Sequence, residues 1–193
     1  MENQNVSIFP RIPLFKGKSV TNNSWVEGSL LIDKATYEGL PDKLIYRILD
    51  TEFGYVMGND ISDQRPCYQS GLDEEIAPET LSEYVGLKDD NGKNIFENDI
   101  IKVTWTTGIE KQHSDLFVVV FYRGIFFGMS VATGKLTGTV SNYTSRTLHT
   151  KGQLKCEVVG NIYDNTKYVG EYFRDVILNH IKQYREDGFD DRA

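Results

Sequence analysis

The chain has 193 residues, 39% of them hydrophobic, and a formal net charge of −7. That length and apolar content suit one domain, or two small lobes sharing a core. The acidic balance argues against broad, backbone-driven binding to nucleic acid.

The first residues, Met1 to Asn5, read as a frayed terminus. Trp25 to Ile32 reads as a strand entered through the Asn22-Asn23 turn. Lys43 to Asp50 fits either a strand or one helical turn, and Tyr55 to Ser70 is polar and turn-rich. Pro78 suits the first position of a short helical turn with Glu79 behind it. Asn91-Gly92 lies in the polar run Asp89 to Lys93 and predicts a type I′ hairpin turn. Ile95 starts a β-like stretch that Glu97-Asn98-Asp99 interrupts. Ile100 to Trp105, rich in β-branched residues, follows as a partly buried strand. Asp99 is placed to cap backbone N–H groups at that strand's entry.

Leu116 to Val131 predicts a hairpin joined through Arg123-Gly124. Gly134, Gly138 and Gly152 punctuate further short strands, and Lys155 to Tyr163 is the last one. The pattern then changes period. Asn165 or Thr166 can cap a helix from Lys167 to about Arg185. Val169, Phe173, Val176, Ile177, His180, Ile181 and Tyr184 share one face of it. That face suits either the chain's own sheet or another subunit. The organisation expected is an N-terminal β region (1–75), a barrel-like β region (76–164), the helix (165–187) and a disordered acidic tail (188–193). The fold class is mainly β: small intertwined barrel or sheet regions with one C-terminal amphipathic helix. Trp25, Ile100, Val103 and Val159 are the expected core.

Little chemistry is visible. There is no phosphate-binding glycine loop, no nucleophile elbow and no zinc-helix motif. Cys67 and Cys156 lie far apart and read as reduced thiols. His113, His149 and His180 show no ligand spacing with them. No catalytic residue, cofactor or metal is therefore assigned, and the reading leans away from an enzyme. The longest apolar run, Leu116 to Tyr122, is far too short to span a bilayer. Residues 1–12 lack the apolar core of a secretion signal. A cytoplasmic protein without membrane insertion is expected.

Three blocks of sequence resemble the YopX-like proteins of bacteriophages and prophages. Leu14 to Asp33 carries a basic glycine-containing turn, then a tryptophan, then Gly28-x-Leu30. Ile76 to Trp105 contains Tyr84, Gly86-Leu87-Lys88-Asp89, then Asn91-Gly92-Lys93, then Asp99. Glu157 to Asp164, EVVGNIYD, is similar to the block that normally closes the domain. Asn98 stands where the family usually has glycine, so a local difference in that turn is expected. Asp115 to Gly152 and Lys167 to Ala193 match nothing in the family pattern. The resemblance implies a bacterial host cell and a structural role for Tyr84, Gly86, Leu87, Lys88, Asp89, Gly92 and Asp99. It implies no activity, because the family has no established one.

Any role hosted in Asp115 to Gly152 or Lys167 to Ala193 cannot be inherited from the family. Leu116 to Cys156 holds no Asp or Glu but contains Arg123, Lys135, Arg146, Lys151 and Lys155. A candidate binding face comprises Arg123, Phe126, Phe127, Lys135, Tyr143, Arg146 and Lys151. The favoured expectation is a phage accessory protein that binds a host or phage protein and self-associates as a homo-oligomer through the C-terminal helix. The alternative is binding of single-stranded nucleic acid or a small anion, with Tyr122, Phe126, Phe127 and Tyr143 stacking on bases.

Overall fold

The computed structural model describes residues 13–35, 41, 43–49, 73–107, 111–144, 154–170 and 175–179. Among them strands dominate, and every helix is short. The chain divides after Leu81 into two compact units. In the first, β1 (Phe15–Lys18), β2 (Trp25–Ala35), β3 (Lys43–Leu49) and β4 (Asp73–Glu75) form consecutive antiparallel neighbours. The Lys43 to Asp50 segment is thus a strand, paired residue for residue with β2 from Ser29↔Leu49 to Ala35↔Lys43. Pro78 opens a 3-10 turn, Pro78–Thr80, as its fixed φ favours. Thr80 Oγ1 accepts a hydrogen bond from the Lys18 N–H (2.9 Å) and donates one to Ala77 O (2.7 Å). Those bonds fasten the turn to β1.

The Gly28 of the opening block has a plain cause. A Cβ there would stand 1.9 Å from the carbonyl oxygen of Leu49. Only glycine lets β2 and β3 approach so closely. Gly28→Ala should therefore destabilise the unit by about 1–3 kcal/mol, the range for overpacked sites. Urea denaturation checks this, and an unchanged midpoint would refute it. Trp25 departs from expectation. It is only half-buried, and its ring lies under the ammonium groups of Lys16 (5.1 Å) and Lys18 (5.6 Å). Its truncation removes cation–π contacts and partial burial, not a fully enclosed core residue.

The second unit holds the β5–β6 hairpin, β5 (Ser82–Lys88) with β6 (Asn94–Phe96), and a five-stranded antiparallel sheet. That sheet contains β7 (Asp99–Thr107), β8 (Lys111–Tyr122), β9 (Ile125–Ser130), β10 (Leu136–Thr139) and β11 (Lys155–Asn161). Its order is β10-β9-β8-β7-β11, so it is an open sheet with two edges and not a closed barrel. Phe117 to Val120 are buried without a break. A continuous apolar run of this kind marks a strand covered on both faces, and both faces are covered. One core joins Ile100, Val118, Val120 and Met129 to Ile162, Val169 and Ile177, with Val159 packed against it. The other joins Ile101, Val103, Phe117, Val119 and Cys156 to Ile95 and to Val140 of the short helix α1 (Val140–Thr144). Ile100 and Val103 are therefore core residues as expected.

One expectation about the C-terminal segment changes, and one of two alternatives is favoured. The helical run is not continuous: α2 (Thr166–Val169) ends at Gly170, whose φ is 68°. Residues 175–179 are helical. A left-handed glycine ends helices in this way because it lacks the Cβ that makes this region costly. Where the apolar face is described, Val169 and Ile177 pack on the chain's own sheet, one of the two placements the spacing allowed. Val169 and Ile177 are 5% and 0% exposed within the sheet's own core, so they are not free to pack on another subunit. The expected helix beyond residue 179 and the expected acidic tail lie outside the described residues. So do the Tyr55 to Ser70 segment and residues 1–12.

Candidate functional site

The Asp89–Lys93 turn is not the type I′ turn that Asn91-Gly92 suggested. That turn needs positive φ at both central residues, yet here Gly92 has φ 84° and Asn91 does not enter the left-handed region. The loop is longer, and the Asp89 side chain organises it. Its Oδ1 accepts hydrogen bonds from the N–H groups of Asn91 (2.8 Å) and Lys93 (2.9 Å). Its Oδ2 accepts one from Val158 N–H (2.9 Å), 69 residues away in β11. Asp90 completes the clamp. Its N–H donates to Cys156 O (3.0 Å), and its Oδ2 accepts from Cys156 N–H (2.7 Å).

β11 is an edge strand whose other side pairs with β7. An edge exposes unpaired N–H and C=O groups that invite pairing with another chain. Asp89 and Asp90 occupy that edge. Partial burial pushes the Asp89 carboxyl up, but the donors from Val158, Lys93 and Asn91, aided by the Lys93 charge, outweigh it. The net result lies below the ordinary value of 3.8. Asn91 Nδ2 adds a contact to Glu157 Oε1 (3.3 Å), and Lys155 Nζ pairs with the same oxygen (2.6 Å).

The remaining motif residues support this clamp. Gly86 has φ 81° where the β5–β6 register slips between Tyr84 and Lys88. Tyr84 packs at 5.6 Å on Phe96, and burial pushes its hydroxyl pKa above 10.0. Leu87 packs beneath the sheet, and Lys88 pairs opposite Asn94. Asp99 Oδ2 accepts the Phe96 N–H (2.9 Å) at the entry to β7, as expected of a capping acid. Asn98 is fully buried at φ 67°. That region suits glycine best and asparagine next, so Asn98 meets the backbone requirement of the family's glycine. Its N–H donates to Val119 O (2.8 Å), its carbonyl accepts from Ile162 N–H (3.1 Å), and its Nδ2 reaches Ser82 Oγ (3.1 Å). In the closing block, a Cβ at Gly160 would stand 2.4 Å from Asn165 Oδ1. That oxygen accepts the Asn161 N–H (3.0 Å).

The described candidate binding residues do not all share one face. Arg123 and Gly124 form the two-residue β8–β9 turn, both with positive φ (48° and 82°), so the type I′ geometry sits here. Lys135 lies beyond the far end of β9, roughly 20 Å away at ~3.3 Å per residue. Phe126 and Phe127 are adjacent on one strand and so point to opposite faces, each packed against a different core. Tyr143 stacks on Phe117 with centroids 4.9 Å apart, and its hydroxyl lies 2.6 Å from Thr137 Oγ1. Arg146 and Lys151 lie outside the described residues, as do Cys67, His149 and His180. Burial, reinforced by Asp90, Asp89 and Glu157, pushes the Cys156 thiol up to about 12, which keeps it protonated and unreactive. His113 stacks on Trp105 at 5.7 Å. Among the described residues no cluster of three potential metal ligands occurs, and no helix is long and apolar enough to cross a membrane.

These features define a mainly β protein whose motif carboxylates, Asp89 and Asp99, accept hydrogen bonds from its own backbone. The chain matches the family described as YopX protein over residues 14–169 and belongs to it. That match spans Asp115 to Gly152 and runs past Asp164, so both the region expected to match nothing and the α2 turn lie within the family domain. Among solved structures, the chain is similar to protein EF1440 from Enterococcus faecalis. The two share 21% identity and a TM-score of 0.41, over 82% of this chain and 98% of that one. No curated protein matches it.

Proposed function

We propose that this chain is a phage- or prophage-encoded accessory protein, a non-enzymatic binding module that engages a host or phage protein. The observation that carries this reading is the tip of the β8–β9 hairpin. Arg123 is exposed and held at φ 48°, a conformation that costs a non-glycine residue roughly 1–2 kcal/mol. Its guanidinium lies over the Tyr122 ring at 5.3 Å, and the neighbouring Ile125 is 49% exposed. Strain retained at an exposed residue points to a use for its side chain. A cation, an aromatic ring and an apolar side chain at one tip suit an acidic protein surface with an apolar pocket.

Arg123→Gly separates the two roles. It should stabilise the fold by about 0.5 kcal/mol, the balance of the left-handed penalty against glycine's freedom in the unfolded chain. It should also abolish partner capture in pull-downs from lysogenic cells. Capture that survives both Arg123→Gly and Ile125→Ser would refute the hairpin as the recognition element. Tyr143, Phe126 and Phe127 are engaged in core packing, which weakens the base-stacking alternative. Tight binding of a single-stranded oligonucleotide that falls steeply with salt would restore it. Self-association is a separate expectation. Val169 and Ile177 are taken up by the chain's own core and do not argue for it, and a monomer by light scattering would end it.

A further inference from the structure

We propose that Asn91 is a site of spontaneous deamidation and isomerisation, gated by the Asp89 clamp, whose products loosen the grip on β11. Asn91-Gly92 is the one Asn-Gly pair in the sequence. Both residues are exposed, and a Cβ built on Gly92 would meet nothing within 4 Å. Gly92 thus carries no side chain to hinder attack by its own nitrogen, and the space beside its Cα is open. The Gly92 backbone nitrogen loses its proton to hydroxide and attacks Asn91 Cγ. An N–Cγ bond forms and the Cγ–Nδ2 bond breaks. Nδ2 takes a proton from water and leaves as ammonia, closing a succinimide. Water then opens the ring at either carbonyl to give aspartate or isoaspartate. The net change is one water consumed and one ammonia released, with no oxidant or cofactor.

The clamp controls access to this reaction. Gly92 N–H donates to Asp89 O (3.0 Å), and Asn91 N–H donates to Asp89 Oδ1 (2.8 Å). The nucleophile is thus tied down while the turn is closed, and local opening must precede attack. The product matters to the same turn. Asn91 Nδ2 donates to Glu157 Oε1, so a carboxylate at 91 replaces a donor with an anion facing another anion. Asp89 and Asp90 stand beside it, and like charges this close disfavour one another. Isoaspartate also lengthens the backbone inside the turn and misaligns the Asp89 hydrogen bonds.

The test is to incubate the full chain at mildly alkaline pH, then map products by proteolysis, mass spectrometry and isoaspartyl methyltransferase labelling. Asn91 should convert ahead of every other asparagine, and several-fold faster in Asp89→Ala or in urea-unfolded wild type than in the native protein. Conversion of Asn91 no faster than other asparagines would overturn the site. Equal rates in native and unfolded chains would overturn the gate. Asn91→Asp should melt below both wild type and Asn91→Gln, and an unchanged midpoint would overturn the effect on β11.

Discussion

Truncation after Asp164 is expected to unfold the C-terminal unit. Val169 and Ile177 fill one core of the five-stranded sheet beside Ile100, Val118, Val120 and Met129, and Tyr168 and Leu178 pack against that core. Complete burial of a Val or Ile side chain contributes about 1.5–3 kcal/mol, so these two alone supply about 3–6 kcal/mol. Total domain stability is only about 5–15 kcal/mol. The deletion also uncovers a contiguous apolar sheet face, which favours aggregation. The truncated chain should lose its cooperative thermal transition and bind a hydrophobic dye. Ile177→Ala is a milder form of the same change and should cost about 2–5 kcal/mol. A truncated chain that melts at the full-length midpoint would show that the segment is dispensable.

That result reverses a natural reading of the sequence. The stripe from Val169 to Tyr184 is visible from its spacing, but periodicity cannot say which surface receives it. The β8–β9 hairpin was legible because Arg123-Gly124 sits between two long apolar arms and both residues take positive φ. The Asn91-Gly92 turn misled for the opposite reason. A tertiary contact overrode the dipeptide's preference, because Asp89 binds the loop's N–H groups and those of β11 at once. Nothing local announces a partner 69 residues away. The short helix α1 also escaped notice, since a single turn carries too few residues for a helical period. Phe126 and Phe127 of the candidate face looked like one aromatic patch in sequence, but adjacent strand residues point to opposite faces.

The second large effect is expected at Asp89. Asp89→Ala removes a carboxylate that is 7% exposed and accepts three backbone hydrogen bonds. Hydrogen bonds to a charged group contribute about 1.5–3 kcal/mol each and are not additive, so a loss of about 3–5 kcal/mol is expected. Asp89→Asn should also be costly, because its amide N–H group must face a backbone N–H. The pH dependence follows from the direction of the shift. The carboxyl pKa is lower in the folded protein than its ordinary value of 3.8. Ionised Asp89 therefore contributes its stability above that ordinary value. The contribution is lost as pH falls from about 4 through the lower folded pKa. Wild type should lose stability over that acid window, and Asp89→Ala should lose less across it. The variant also frees the Val158 N–H on the outer edge of β11, so concentration-dependent association should increase near neutral pH, where wild type keeps that position covered. If Asp89→Ala matches wild type in denaturant midpoint and in acid sensitivity, the clamp is a bystander. The motif would then need an explanation outside the fold's own stability.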